Sequence, residues 1–181
     1  MSELHTGNGF DLLLRIDARA KEHQLVSSES SDNKQTNSYL SFSLCEQGLL
    51  IPIIEVAELV SSPAIVEVPV MKPWMRGIAN VRGSLLPLSD LESFFCQKRQ
   101  HVGASSRVLV IESDRNRFGL LVPEVYGIKD IQPGRISDAT GKGRGALAGF
   151  CQQLVKIGGK EWLILDIDLL VRDTRFMHAA A

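Results

Sequence analysis

Nucleophilic catalysis needs a base within hydrogen-bond reach of the attacking group, and a metal needs ligands at a fixed spacing. The four histidines, His5, His23, His101 and His178, fall in terminal segments or polar loops, and none adjoins a Cys or Ser in a strand-to-helix elbow. Cys45, Cys96 and Cys151 are spaced about fifty residues apart, too far for a metal knuckle, and are expected as three buried or semi-buried thiols of a reducing compartment. Gly141-Lys-Gly-Arg-Gly has the composition of a phosphate loop but not its Gly-Lys-Ser/Thr spacing or its following helix. Asp166 and Asp168 stand two apart, so on a helix they face different ways, and Asp166 reads better as a cap. The pattern therefore predicts no catalytic residue, no metal and no cofactor. One cation remains singular: Arg82, at the end of a short apolar run and directly before Gly83.

The run Trp74-Met-Arg-Gly-Ile-Ala-Asn-Val-Arg-Gly-Ser-Leu-Leu-Pro-Leu-Ser-Asp-Leu positions that arginine. Gly77 and Gly83 mark turn or bulge points. Ile78 to Arg82 reads as one strand and Leu85 to Leu88 as a second, with Pro87 implying an edge or a bulge. Ser89 or Asp90 then caps a short helix from Leu91 to Phe95. The product is a tight hairpin with a cation at its turn, which is the geometry of a docking surface. As residues alone, Arg82 reads equally as a surface arginine paired with a nearby carboxylate or as an interface arginine offering its planar fork to a partner.

The totals limit the function classes. At 181 residues with 44% hydrophobic content, the chain supports one cored domain or two small subdomains sharing a core. Net charge is −1 without long runs of one sign, and only 6% of residues are aromatic, so nucleic-acid or membrane-surface binding has no electrostatic or stacking basis. Phe10 to Leu14 is apolar but is interrupted by Arg15 and Asp17, and no stretch reaches membrane-spanning length. A cytoplasmic protein is expected.

Along the chain, Phe10 to His23 reads as an amphipathic helix, either folded onto the body or extended towards a partner. Ser27 to Asn37 is a polar linker. Tyr39 to Leu44 alternates as a half-buried strand, and Leu49 returns it. Ile53 to Val60 fits either a helix or a turn followed by a strand. Ile65 to Val70 is a further strand, closed by Pro69 and Pro73. Gln97 to Ser106 is a polar loop, Arg107 to Val122 a hairpin, and Val125 to Ile131 another strand. Ile136 to Gly145 is read as a mobile loop, Leu154 to Leu165 as a hairpin on Gly158-Gly159, and Asp166 as the cap of a last short helix. Trp74 and Trp162 are assigned to packing.

The chain repeats itself. Leu40 to Val56 and Val108 to Val125 share a strand, a polar turn and an apolar strand ending around a proline. Pro52 to Gly77 and Pro123 to Gly149 both span about twenty-five residues, and each half closes on Asp-Leu, at Asp90-Leu91 and Asp168-Leu169. Two small antiparallel barrels of matching topology follow, from halves at about 39–95 and 107–171, with a groove between them.

Gly77-Ile-Ala-Asn-Val-Arg-Gly-Ser-Leu-Leu-Pro-Leu-Ser-Asp-Leu resembles the signature hairpin of the CheW family, the adaptors of bacterial chemosensory arrays. Its continuation through Phe95 and the opening Phe10-Asp-Leu-Leu-Leu-Arg-Ile-Asp-Ala-Arg are most similar to the PilI-like branch serving type IV pili. The resemblance runs from about Tyr39 to Val171, within a domain placed at 38–175 after an N-terminal segment at 1–37. It implies an all-β fold of two five-stranded SH3-like barrels, with an N-terminal helical extension and short helices at the subdomain ends, and resolves Ile53–Val60 as a turn and a strand. It also implies a non-catalytic scaffold that joins methyl-accepting chemoreceptors to a CheA-type histidine kinase at membrane arrays, in control of twitching motility. By similarity, Val56, Glu58, Arg82, Val125 and Ile128 line the receptor-facing groove, and Ile65 and Val66 belong to a kinase patch. The N-terminal extension is long for a minimal adaptor, and Gln152-Gln153 and Gly158-Gly159 follow no family pattern. The alternatives are a flagellar chemotaxis adaptor or, from another class, a Cys-dependent hydrolase.

Overall fold

The computed structural model describes residues 36–61, 63–113, 116–139 and 145–180. The helix expected over Phe10 to His23 lies outside them, as do the polar linker before Thr36 and all of the Gly141-Lys-Gly-Arg-Gly stretch except Gly145. Among the described residues no helix is long and apolar enough to cross a membrane.

Short alternating runs separated by turn residues give strands rather than helices. These are β1 (Asn37–Leu44), β2 (Gln47–Pro52), β3 (Val56–Ser61), β4 (Ile65–Val66), β5 (Met75–Val81) and β6 (Ser84–Asp90) in the first half. In the second half they are β7 (Arg107–Ser113), β8 (Asn116–Val122), β9 (Glu124–Ile131), β10 (Ile136–Asp138), β11 (Gln153–Ile157) and β12 (Lys160–Ile164). Among the described residues the α-helices are α1 (Leu91–Cys96), between β6 and β7, and α2 (Ile167–Arg172) and α3 (Thr174–Met177), after β12. The fold is all-β. Asp90, one of the two caps expected for α1, accepts from the Ser93 N–H at 2.9 Å, and Asp166 caps α2 as expected by accepting from the Leu169 N–H at 3.0 Å.

The repeat is real, but its halves do not each form a sheet. One six-stranded sheet runs β10-β11-β12-β2-β1-β9 and the other β3-β7-β8-β6-β5-β4. Each half therefore lends its opening hairpin to the other half's sheet, and parallel pairing of β12 with β2 and of β6 with β8 makes the splice. The exchange is symmetric: reading the second sheet backwards, β4-β5-β6-β8-β7-β3 matches β10-β11-β12-β2-β1-β9 strand for strand. Even the irregularities correspond, because β3 bulges between Val56 and Glu58 and β9 is offset by one residue between Val125 and Gly127.

Both sheets curl around an apolar interior. Ala79, Val81, Leu86, Leu88, Val110 and Leu121 form one core, with Val60 and Ile65 against it from the two ends of the sheet. Tyr39, Leu50, Ile131, Val155 and Ile164 form the other. Aromatic rings add a third contact region. Phe176 of α3 stacks on Trp74 with centroids 5.3 Å apart, while Phe94 and Phe95 of α1 meet Phe150 edge to face. Trp74 is thus a packing residue, as expected.

Two of the element bounds need correction. The strand expected over Ile65 to Val70 stops at Val66, because Pro69 has no N–H to donate and Val70 takes φ +59°, outside the strand region. Ile136–Asp138, read as mobile loop, forms the edge strand β10 against β11. Pro87 meets its expectation: β6 is central in the sheet, but it meets β8 only from Leu88 onward, so Pro87 faces a locally open edge where no N–H is needed.

Candidate protein-docking surface

Arg82 and Gly83 form the two-residue turn between β5 and β6, with φ of +50° and +85°. A hairpin turn of this kind needs both residues at positive φ. Asn80 Oδ1 accepts the Gly83 N–H at 2.8 Å and closes the loop. Glycine enters that region freely, whereas arginine is strained there. The Arg82 side chain is 72% exposed, and its Nε lies 2.8 Å from Oε1 of Glu58, whose side chain is only 13% exposed. The first reading of this residue is met, since it is a surface arginine paired with a nearby carboxylate, and most of its side chain remains exposed. The pair also reports the curl of the sheet. Glu58 is on the first strand of its sheet and Arg82 in the turn joining the fourth and fifth. Flat, three to four spacings of about 4.8 Å would separate them by about 14–19 Å, further than an arginine side chain reaches.

The remaining candidate residues divide by burial. Val56 is 6% exposed and packs beneath the sheet two residues before Glu58, so it supports the surface without presenting a side chain to a partner. Val125 and Ile128 are half-buried on β9, the edge strand of the other sheet, opposite Phe42 and Leu40. Ile65 points into the core and Val66, 71% exposed, points outward. Cross-strand register puts Val66 beside Ile78 and Ile78 beside Pro87, with Leu85 (75% exposed) on the same face. Sequence alone does not single out Leu85, since in Leu85-Leu86-Pro87-Leu88 either phase of the alternation is apolar and only register assigns the outer face. Tyr126, also not singled out, is half-exposed and meets Trp162 edge to face at 5.9 Å, with Lys129 Nζ 5.1 Å above that indole.

Acidic groups collect at the start of α2. Glu55 follows the exposed Ile54 in the turn before β3, and its carboxyl is pushed up to about 7, first by burial and then by the charges of Asp166 and Asp168. Burial, with Asp166 adding to it, pushes the Cys151 thiol up to about 12, so at neutral pH it carries no thiolate to attack a substrate. Asp90 is the counterpart in the first half and is fully buried. It caps α1, accepts the Gln100 N–H at 2.9 Å, and lies 3.7 Å from the Arg76 guanidinium. This pins the segment read as a polar loop, in which Gln100 and Ser106 are buried and bonded to each other. Among the described residues no group of three or more His, Cys, Asp or Glu side chains could hold a metal ion.

What remains is a strained, exposed cation on a hairpin, an apolar outer face beside it and a thiol too buried to react. The CheW-like domain model matches residues 38–175. The chain belongs to the CheW-like domain family. It is 29% identical over 180 residues to the protein PilI of Pseudomonas aeruginosa, covering 99% of each chain. It is 26% identical over 144 residues to the chemotaxis protein CheW of Thermotoga maritima, covering 74% of this chain and 87% of that one. The crystal structure of the scaffolding protein TtCheW from Thermoanaerobacter tengcongensis superposes with a TM-score of 0.67 at 24% identity, over 75% of this chain and 93% of its own, which shows the shared fold. The hairpin that carries Arg82 lies within the matched span, as do all the other surface residues named above, so this CheW-like adaptor domain contains the whole candidate surface.

Proposed function

We propose that the chain is a non-catalytic scaffold that couples a methyl-accepting chemoreceptor to a CheA-type histidine kinase, in signalling that controls type IV pilus twitching motility. On this reading the two curled sheets act as SH3-like barrels, and the protein works in the cytoplasm at polar receptor arrays. End-to-end similarity to PilI supports the pilus branch over a flagellar one. The carrying observation is Arg82, an exposed arginine held at φ +50°. A charged residue kept where glycine fits better has a use for its side chain beyond the fold.

The receptor meets Arg82 and Glu58 on one sheet and Val125 and Ile128 on the other, with Val56 as backing. The kinase meets the apolar face of Val66, Ile78, Pro87 and Leu85, with Ile65 anchoring β4 beneath it. Each patch is small, and an array multiplies modest affinities by holding several contacts at once.

Titration of the purified protein against receptor and kinase fragments tests this, beside a thermal melt. Arg82→Ala should weaken partner binding by about 2 kcal/mol, roughly thirtyfold, and change folding stability by less than about 0.5 kcal/mol. Arg82→Lys should restore only part of the loss, because an ammonium lacks the planar fork. A large fall in melting temperature with unchanged binding would make Arg82 structural and defeat the proposal. Capture of the kinase with flagellar rather than pilus receptors from the native extract would reassign the branch.

A further inference from the structure

The cysteines were expected as three separate thiols, and two of them meet. Cys45 and Glu46 form the turn between β1 and β2 with φ of +52° and +61°. Cys96 is the last residue of α1 and is exposed. Their sulfurs are paired, with Cα atoms 6.2 Å apart, inside the roughly 4.4–6.8 Å that a disulfide spans. Cys151 is buried and stands apart from them.

The position matters more than the bond alone. The β1–β2 hairpin belongs to the first half but sits in the sheet completed by the second half. Helix α1 follows β6 and contacts strands of the other sheet. A bond from Cys45 to Cys96 therefore crosses between the sheets at the splice. On one side β1 pairs with β9, which carries Val125 and Ile128; on the other, α1 continues the hairpin that carries Arg82.

We propose that Cys45 and Cys96 form a reversible redox staple between the two sheets, closed by exchange with a low-molecular-mass disulfide of the glutathione class. The exposed Cys96 thiolate attacks one sulfur of oxidised glutathione, giving a mixed disulfide and releasing one glutathione. The Cys45 thiolate then attacks the Cys96 sulfur and releases the second glutathione. Both thiol protons end on the two glutathiones, whose disulfide has taken up the electron pair, and a dithiol reductant reverses the sequence. The oxidised form adds a cross-link between the elements bearing both groups of docking residues, and the reduced form leaves them joined by packing and by the chain connections alone. The bond's formation does not depend on the adaptor function, so either can fail without the other.

The test equilibrates the full chain with excess oxidised glutathione or with dithiothreitol, followed by denaturation, thiol alkylation and peptide mapping, with a thermal melt of each form. The oxidised sample should show one alkylated cysteine, Cys151, and a cross-linked Cys45–Cys96 peptide, while the reduced sample shows all three alkylated. Closing a span of 51 residues should raise the melting temperature by about 10 °C. Cys45→Ser, folded like the parent in reductant, should lose that difference. Three alkylated cysteines after oxidation would overturn the proposal, as would a stable glutathione adduct at Cys96 with Cys45 still free. So would a melting difference that persists in Cys45→Ser.

Discussion

The two halves of this chain follow the same path through space and spend it on different chemistry. In the first, the hairpin turn is Arg82-Gly83 at φ +50° and +85°; in the second it is Gly158-Gly159 at +57° and +77°. The backbone is the same, yet one copy uses the residue that fits without strain and the other projects a cation. The helix caps diverge as well. Asp90 is buried among donors, holding two backbone N–H groups beside the Arg76 guanidinium. Asp166 is half-buried, caps one N–H group and shares its surroundings with Glu55 and Asp168. A repeat thus conserves turn geometry and capping, which the fold requires, and leaves charge free to specialise. The first half bears the cationic tip and a well-satisfied buried carboxylate; the second bears a neutral tip and a cap carboxylate crowded by Asp168 and by Glu55 of the first half.

The caps should separate most. Asp90→Ala removes the cap, orphans the Gln100 N–H and leaves Arg76 without its carboxylate, a loss of about 3 kcal/mol. Asp166→Ala loses one cap bond and relieves repulsion, so it should cost at most about 1 kcal/mol. Denaturant unfolding of both variants measures the gap, and equal losses would erase the contrast.

The hairpin tips come next. Gly158→Arg forces an arginine into the left-handed region without a Glu58 to meet it and should cost about 1–2 kcal/mol, read from the same unfolding curves. The acidic corner gives a pH effect of about 1 kcal/mol, once solvent screening of the half-buried Glu55 is allowed for. Its carboxyl lies at about 7 when folded against an ordinary 4.5, so the folded state holds its proton more tightly. That stability is complete below about pH 4.5 and is lost as pH rises through about 7. Glu55→Gln should therefore match the parent near pH 5 and exceed it by that amount near pH 8. The smallest effect belongs to Arg82→Gly, which should gain about 0.5 kcal/mol as relief of strain outweighs an ion pair whose arginine is exposed. If it destabilises instead, the Glu58 pair matters more to the fold than surface pairs usually do.

The sequence by itself determined the local grammar of the protein. Alternation predicted most strands, Asp90 and Asp166 announced their helices, Gly83 and Gly158-Gly159 marked turns, and the repeat was legible before any strand was paired. These features depend on neighbours a few residues away, and residue type encodes such interactions directly. The Arg82 tip was legible for the same reason. Only the tertiary structure decided the rest. Which strand lies beside β2 or β8 depends on parallel pairings between distant segments, and an apolar alternating strand fits many partners equally well. That is why the halves looked like separate units although they exchange their opening hairpins. The same distance hid the meeting of Cys45 with Cys96, the burial of Val56, and the clasp of Asp90 on Gln100. Each joins residues whose types permit the contact while their spacing says nothing of it, and the curl of the sheets brings them together.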